Sequence, residues 1–242
     1  MQSIESLTQH QAAGDTRGLK LQSSDFRVPF FDPEKAKRAE EAAKAYTADL
    51  ALQAINQRIR TAKIPLRLSR NIDESLQTDE KHEWKKKYRR IEVEIGTGFL
   101  FGLLGGYGTG KSQMGATLVH QACQTQTAMF IHAPELFDTI KDVFRGDDGD
   151  TVRQQLQKFI SPKLLVIDEV NQGLTEADIR YLHRVICQRY DDVTDTLLIS
   201  NENKENFQRL VGDRITSRMI ECGGTIDANW PSFRTKRTKV HP

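Results

Sequence analysis

The run Gly105-Gly106-Tyr107-Gly108-Thr109-Gly110-Lys111-Ser112 restricts this chain more than any other feature, because it fills the pattern G-x-x-x-x-G-K-[ST] completely and in the required setting. The apolar segment 99–104 leads into it and a helical stretch leads out of it. Glycines let the backbone turn tightly enough for successive N–H groups to converge on phosphate oxygens, and the helix N-terminus adds a partial positive charge. In that setting Lys111 is expected to reach the β- and γ-phosphates of a nucleotide, and Ser112 to place a hydroxyl on Mg²⁺. With glycine near 7% of residues, the pattern arises by accident in about one chain of this length per hundred. A nucleotide-binding P-loop is the first expectation.

A second element follows where the apolar run 164–167 ends in Asp168 and Glu169. A buried strand that ends in two carboxylates is costly unless a cation or a water uses them. Asp168 is therefore expected to hold Mg²⁺, directly or through water, and Glu169 to orient and deprotonate the attacking water. The apolar run 196–199 ends in Ser200 and Asn201, which makes Asn201 the expected sensor of the γ-phosphate, on a strand whose neighbours carry the P-loop and Asp168. Arg214 and Arg218 stand four residues apart on a helical stretch and so point to one side, where one of them can reach a nucleotide held by an adjacent subunit.

Short apolar runs at 98–104, 128–132, 164–167 and 196–200 alternate with helical stretches at 111–124, 134–144, 151–159 and 175–189. Buried strands alternating with helices imply an α/β fold, a parallel sheet sandwiched by helices. At 242 residues there is room for one such core and an appendage. Residues 1–31 read as a polar arm with Phe26, Phe30 and Phe31, and a helix is expected from Asp32 and Pro33 to about Lys63, its apolar face made by Ala43, Tyr46, Leu50, Leu52, Ile55 and Ile59. The expected organisation is a partner-binding arm and long helix over 1–66, a basic connector over 67–90, and the ATPase domain over 91–242.

Charged residues at 28% and hydrophobic ones at 38% match an ordinary soluble protein, and neither a long apolar span nor a basic-then-apolar leader is present, so a cytoplasmic location without membrane contact is expected. Cys123, Cys187 and Cys222 lack metal-ligand spacing and read as reduced thiols. A net charge of +2 does not by itself argue for nucleic acid. The basic runs Lys81, Lys85, Lys86, Lys87, Arg89, Arg90 and Arg234, Lys236, Arg237, Lys239 read as solvated surfaces.

Six motifs in order and at these spacings, GGYGTGKS, IHAPELFDTIKDVFR, LLVIDEV, LLISNEN, VGDRITSRM and NWPSFR, resemble the bacterial DnaC helicase loaders of the AAA+ superfamily, and the related IstB transposition helpers share much of the pattern. The resemblance covers about residues 60–236. It implies an AAA+ domain without a full C-terminal lid, ATP and Mg²⁺ as cofactors, Asn201 as sensor 1, Arg218 as arginine finger and Arg234 as second sensor. It also implies a weak ATPase that needs head-to-tail self-assembly, since an arginine finger is worth about 10³–10⁵ in rate. The stretch 134–145 matches a helix that the family uses on single-stranded DNA, with Phe144 for stacking and Lys141 and Arg145 for phosphates. The implied partners are a hexameric DnaB-type replicative helicase and single-stranded DNA, or, in the IstB-like alternative, duplex DNA and a transposase. Residues 1–63, where partner choice would reside, match no module of the family.

Overall fold

The computed structural model describes residues 32–145 and 151–234. The chain divides into two compact units, Met1–Ala48 and Asp49–Pro242, and the helix α1 (Pro33–Thr61) runs through the boundary. Asp32 starts it as expected, accepting from the amides of Glu34 and Lys35 at 3.0 and 3.3 Å. Its apolar residues do not form one seam. Ile59 packs on the core, whereas Tyr46, Leu50 and Leu52 are exposed. Leu52 lies two positions from Leu50, on the opposite side of the helix. The helix stops at Thr61, and Lys63 turns the chain with a left-handed φ of 56°.

The second unit is built on five parallel strands, β1 (Leu100–Leu104), β2 (Ala128–His132), β3 (Leu164–Asp168), β4 (Asp195–Ser200) and β5 (Gly223–Asp227), in the order β2-β3-β4-β1-β5. Alternation along the strands feeds two cores. Phe101, Leu103, Val166, Leu197 and Ile199 pack with α5 (Lys111–Ala122) on one face, while Leu100, Leu104, Leu165, Ile167 and Leu198 pack with α6 (Ala133–Lys141), α7 (Val152–Ile160), α8 (Glu176–Asp191) and α9 (Lys204–Cys222) on the other. The expected α/β sandwich is what forms. The strand β5, Gly-Gly-Thr-Ile-Asp, carries too little apolar pattern to be read from sequence; it forms because β1 offers it a parallel edge, Leu103 opposite Ile226.

The stretch expected as a basic connector is instead three helices of the core, α2 (Leu66–Ser69), α3 (Ile72–Leu76) and α4 (Glu83–Glu92). Trp84, Tyr88 and Ile91 recur at i, i+4 and i+7 and are buried, and the Trp84 and Tyr88 rings stack at 5.5 Å. The intervening lysines hide this face in the sequence. Several charges of this run are held locally: the buried Lys85 donates to the Leu76 carbonyl at 2.6 Å and lies 3.8 Å from Glu80, Lys86 pairs with Glu83 at 2.7 Å, and Arg89 pairs with Glu80 at 2.8 Å. Lys236, Arg237 and Lys239 of the second basic run lie outside the described residues, as do Phe26, Phe30 and Phe31.

At the N-terminal end of the sheet, the Asp195 carboxylate accepts from the amides of Gly96, Gly98 and Phe99 at 2.6, 2.8 and 3.3 Å and so fixes the turn that enters β1. Arg189, fully buried, donates to the carbonyls of Phe159, Ile160 and Pro162 and to the Thr196 hydroxyl, tying α7 and α8 to β4. The opposite end of the sheet is left to carry chemistry.

Candidate nucleotide site

Five parallel strands bring their C-terminal ends to one edge. β1 runs into the phosphate loop, β3 ends in Asp168, and β4, paired with both, delivers Asn201 between them, which is the placement the sequence required. The loop turns on left-handed glycines, Gly108 at φ 80° and Gly110 at φ 78°, the latter capping α5. The Thr109 hydroxyl donates to the Gly106 carbonyl at 3.0 Å across the loop. Lys111 is 5% exposed, and its ammonium donates to the carbonyls of Gly105 and Gly106 at 2.6 and 2.8 Å and to Asn201 Oδ1 at 2.9 Å. Burial lowers the Lys111 pKa; the Asp168 charge opposes that fall and Arg234 adds to it.

Asp168 is buried, and burial raises its pKa against the Ser112 hydroxyl and His132, which favour the carboxylate. Glu169 follows at a left-handed φ of 64°, a conformation that costs a non-glycine residue about 1–3 kcal/mol. Its amide donates to Asp168 Oδ1 at 2.9 Å, while its own carboxylate is 55% exposed. The turn thus parts the two acids: Asp168 stays inside beside Ser112, and Glu169 faces the cleft.

That cleft has a volume of about 500 Å³, within the range of small-molecule sites. Tyr107, Gly108, Gly110, Lys111, Ser112, Asp168, Glu169, Asn201 and Arg234 all line it, and so do Arg67, Asn71, Gln113 and His132, which the sequence did not single out. The oxygen donors suit Mg²⁺. Among the described residues no group of three or more His, Cys, Asp or Glu side chains could cage a metal, and Mg²⁺ characteristically takes one or two protein ligands and completes its shell with phosphates and water. The Ser112 hydroxyl and the Asp168 carboxylate would make such a pair.

Other expected residues lie elsewhere. Arg218 is outside the cleft, its guanidinium 4.4 Å from the Tyr190 ring centroid and 3.4 Å from Asp191 Oδ1. Lys141 forms an ion pair with Asp178 at 2.7 Å. Phe144 and Arg145 follow in the 3-10 turn Asp142–Arg145, but their side chains lie outside the described residues. Two residues that the sequence did not single out lie against the expected ones. Asn171 Oδ1 accepts from the Ser200 hydroxyl at 3.0 Å and from the Asn201 amide at 2.8 Å, binding the turn after β3 to the sensor strand. His132 Nδ1 lies 3.8 Å from both Asp168 Oδ2 and Glu169 Oε2. The signal for His132 is its register opposite Asp168, visible once β2 and β3 are known to pair.

Comparisons with known proteins bear on the family and the fold. The family described as "IstB-like ATP binding protein" matches residues 36–238. Among curated proteins, the chain is 28% identical over 150 residues to the uncharacterized protein YdaV of Escherichia coli strain K12, covering 60% of each. It is 27% identical over 135 residues to the replicative helicase loader DnaC of the same strain, covering 54% of each, so it spans a little over half the length of these relatives. The fold is that of the P-loop AAA+ domains: the crystal structure of the DnaC helicase loader superposes with a TM-score of 0.56 at 15% identity, covering 67% of this chain and 99% of that one. With most of its length matched, the chain belongs to the IstB-like ATP-binding protein family.

Proposed function

We propose that this protein is an ATP-dependent loader of a replicative DNA helicase, which binds the hexameric helicase through residues 1–66, engages single-stranded DNA, and releases the helicase when ATP is hydrolysed. The observation that carries the reading is the convergence of Lys111, Asp168, Glu169, Asn201 and Arg234 on one cleft, with Arg218 outside it. In this reading the cleft supplies the phosphate cradle, the metal ligands and the base, and an arginine from a neighbouring subunit adds the cation that neutralises charge developing between the β- and γ-phosphates. In this reading Ser112 and Asp168 hold Mg²⁺, Glu169 takes the proton of the attacking water, Asn201 orients the γ-phosphate, and Arg218 serves the site of the next subunit in a head-to-tail assembly. Turnover is accordingly weak in the isolated chain. DNA contact falls to the end of α6 and the turn after it, with Phe144 and Arg145 as its side chains and Lys141 at its edge.

Kinship with a replicative helicase loader supports this partner over others. The test is co-elution of the purified chain with a hexameric bacterial replicative helicase in the presence of ATP. A stable complex that dissociates on hydrolysis is expected. Failure to bind the helicase, together with preference for duplex over single-stranded DNA and stimulation of a transposase, would replace the loader with an IstB-like transposition helper.

A further inference from the structure

Neither of the two tryptophans in this sequence lines the nucleotide cleft, yet both indoles grip the phosphate loop from behind. Trp84 Nε1 on α4 donates to the Gly110 carbonyl at 3.0 Å, and Trp230 Nε1, beyond β5, donates to the Thr109 carbonyl at 2.8 Å. The Phe233 amide donates to the Gly108 carbonyl at 2.8 Å. Three consecutive loop carbonyls are therefore held by donors from two segments that belong to neither the P-loop nor its helix. The Gly110 carbonyl also accepts the first helical bond, from Met114 at 2.9 Å, so Trp84 adds a second donor to it.

The consequence follows from peptide geometry. In a trans peptide the C=O of one residue and the N–H of the next point in opposite directions. Carbonyls 109 and 110, drawn toward indoles that do not line the cleft, turn the amides of Gly110 and Lys111 toward it, where they would donate to phosphate oxygens. The grip is close. A Cβ on Gly108 would lie 2.1 Å from Ser232 Oγ, and one on Gly110 would lie 3.1 Å from Trp84 Nε1 and 3.3 Å from the Phe233 ring. These glycines make room for Trp84 and for residues 232–234 as well as for the phosphates. Both indoles are buried, Trp84 stacked on Tyr88, and the segment that carries Trp230 is pinned at its start by the Ala228 amide on the Leu104 carbonyl at 2.6 Å.

We infer that Trp84 and Trp230 are positioning residues of the phosphate loop, which set nucleotide affinity by holding its carbonyls outward, and that residues 228–234 act as a strap across the loop. The inference rests on the nucleotide-site reading above. Because the amides meet the phosphates in the ground state and in the transition state alike, loosening them weakens binding without slowing the bound complex.

The test uses the full chain and a fluorescent N-methylanthraniloyl-ATP as probe. Trp84→Phe and Trp230→Phe are each expected to raise Kd by about three- to tenfold, the worth of one neutral hydrogen bond, with kcat at saturating ATP little changed. Phenylalanine also removes packing. Expression in a tryptophan auxotroph supplied with 3-benzothienylalanine therefore replaces both indoles with an isostere that lacks the N–H. Weakened binding at an unchanged Tm is expected for that protein. Wild-type affinity in the isostere protein overturns the inference, as does a fall in kcat at unchanged Kd. Lys111→Ala separates the two readings: if it binds the probe like wild type, the nucleotide site itself is misread, whereas if it loses the probe while the isostere protein keeps it, the positioning role alone fails.

Discussion

Glu169 concentrates the chemistry of the proposed site in one strained residue. Its left-handed backbone turns an exposed carboxylate toward the cleft while its amide restrains Asp168, so the two neighbouring acids hold different environments and different tasks. Glu169→Gln keeps the shape and removes the base. ATP turnover is expected to fall by about 10²–10⁴, with ATP affinity within about threefold of wild type, as read by phosphate release and equilibrium binding. Equal rates for the two proteins would exclude Glu169 as the base. Asn171 acts differently, since its carbonyl oxygen accepts two donors of the sensor strand. Asn171→Ala should destabilise the fold by about 1–2 kcal/mol in urea unfolding, and Asn171→Asp, which retains the acceptor, should recover most of that loss. Asp168 and Asn201 were legible because each stands at the end of an apolar strand, and Lys111 because it closes the loop motif between β1 and α5. Asn171 and His132 were not, because their partners are set by strand register and by a loop that folds back, and no local spacing encodes either.

At the scale of elements, α6 and α8 are joined by a bond that bears on the DNA-contact reading. Burial alone would raise the Asp178 carboxyl, but Lys141, with the hydroxyl and amide of Thr175, holds it below its ordinary value of 3.8. The same carboxylate completes the capping box that begins α8. A carboxyl whose folded pKa is depressed contributes stability that is present above the unfolded value and is lost as pH falls through the folded one. Lys141→Met should therefore cost about 1 kcal/mol at pH 7, discounted for a lysine that is 38% exposed, and the gap between the two proteins should close as pH falls below 3.8. Urea unfolding across that range checks it; a gap that persists in acid would mean that lost packing, not the ion pair, sets the cost. The helices α7 and α8 were legible as stretches alternating with apolar runs, and the structure fixes their starts with capping boxes, Thr151 with Gln154 and Thr175 with Asp178. The helices α2 to α4 were obscured by basic residues, several of which the fold pairs locally, and β5 by a sequence with a single apolar side chain.

At the scale of the whole molecule, the proposed head-to-tail assembly requires that Arg218 leave its place in its own subunit. Its contacts there are weak ones. Stacking on Tyr190 is worth about 0.5–2 kcal/mol for an arginine side chain that is 16% exposed, and the pair with the half-exposed Asp191 at most about 1 kcal/mol. An arginine finger in place lowers the barrier by about 4 kcal/mol or more, taking 10³ as the smallest effect. A trans contact of that size would outweigh the hold of Tyr190 and Asp191. Arg214, one turn earlier on α9, is exposed and makes no ion pair among the described residues, which makes it the natural control. Glu169→Gln and Arg218→Ala proteins should each be nearly inactive alone. Mixed in equal amounts, they form interfaces in which the intact Glu169 of an Arg218→Ala subunit meets the intact Arg218 of a Glu169→Gln subunit. Random head-to-tail assembly makes such interfaces roughly a quarter of the total, so turnover should recover toward that fraction of wild type. Arg214→Ala in place of Arg218→Ala should remain active without any partner. If no mixing ratio restores turnover although both variants still assemble with wild-type subunits, Arg218 does not act across the interface and its place against Tyr190 is its only role.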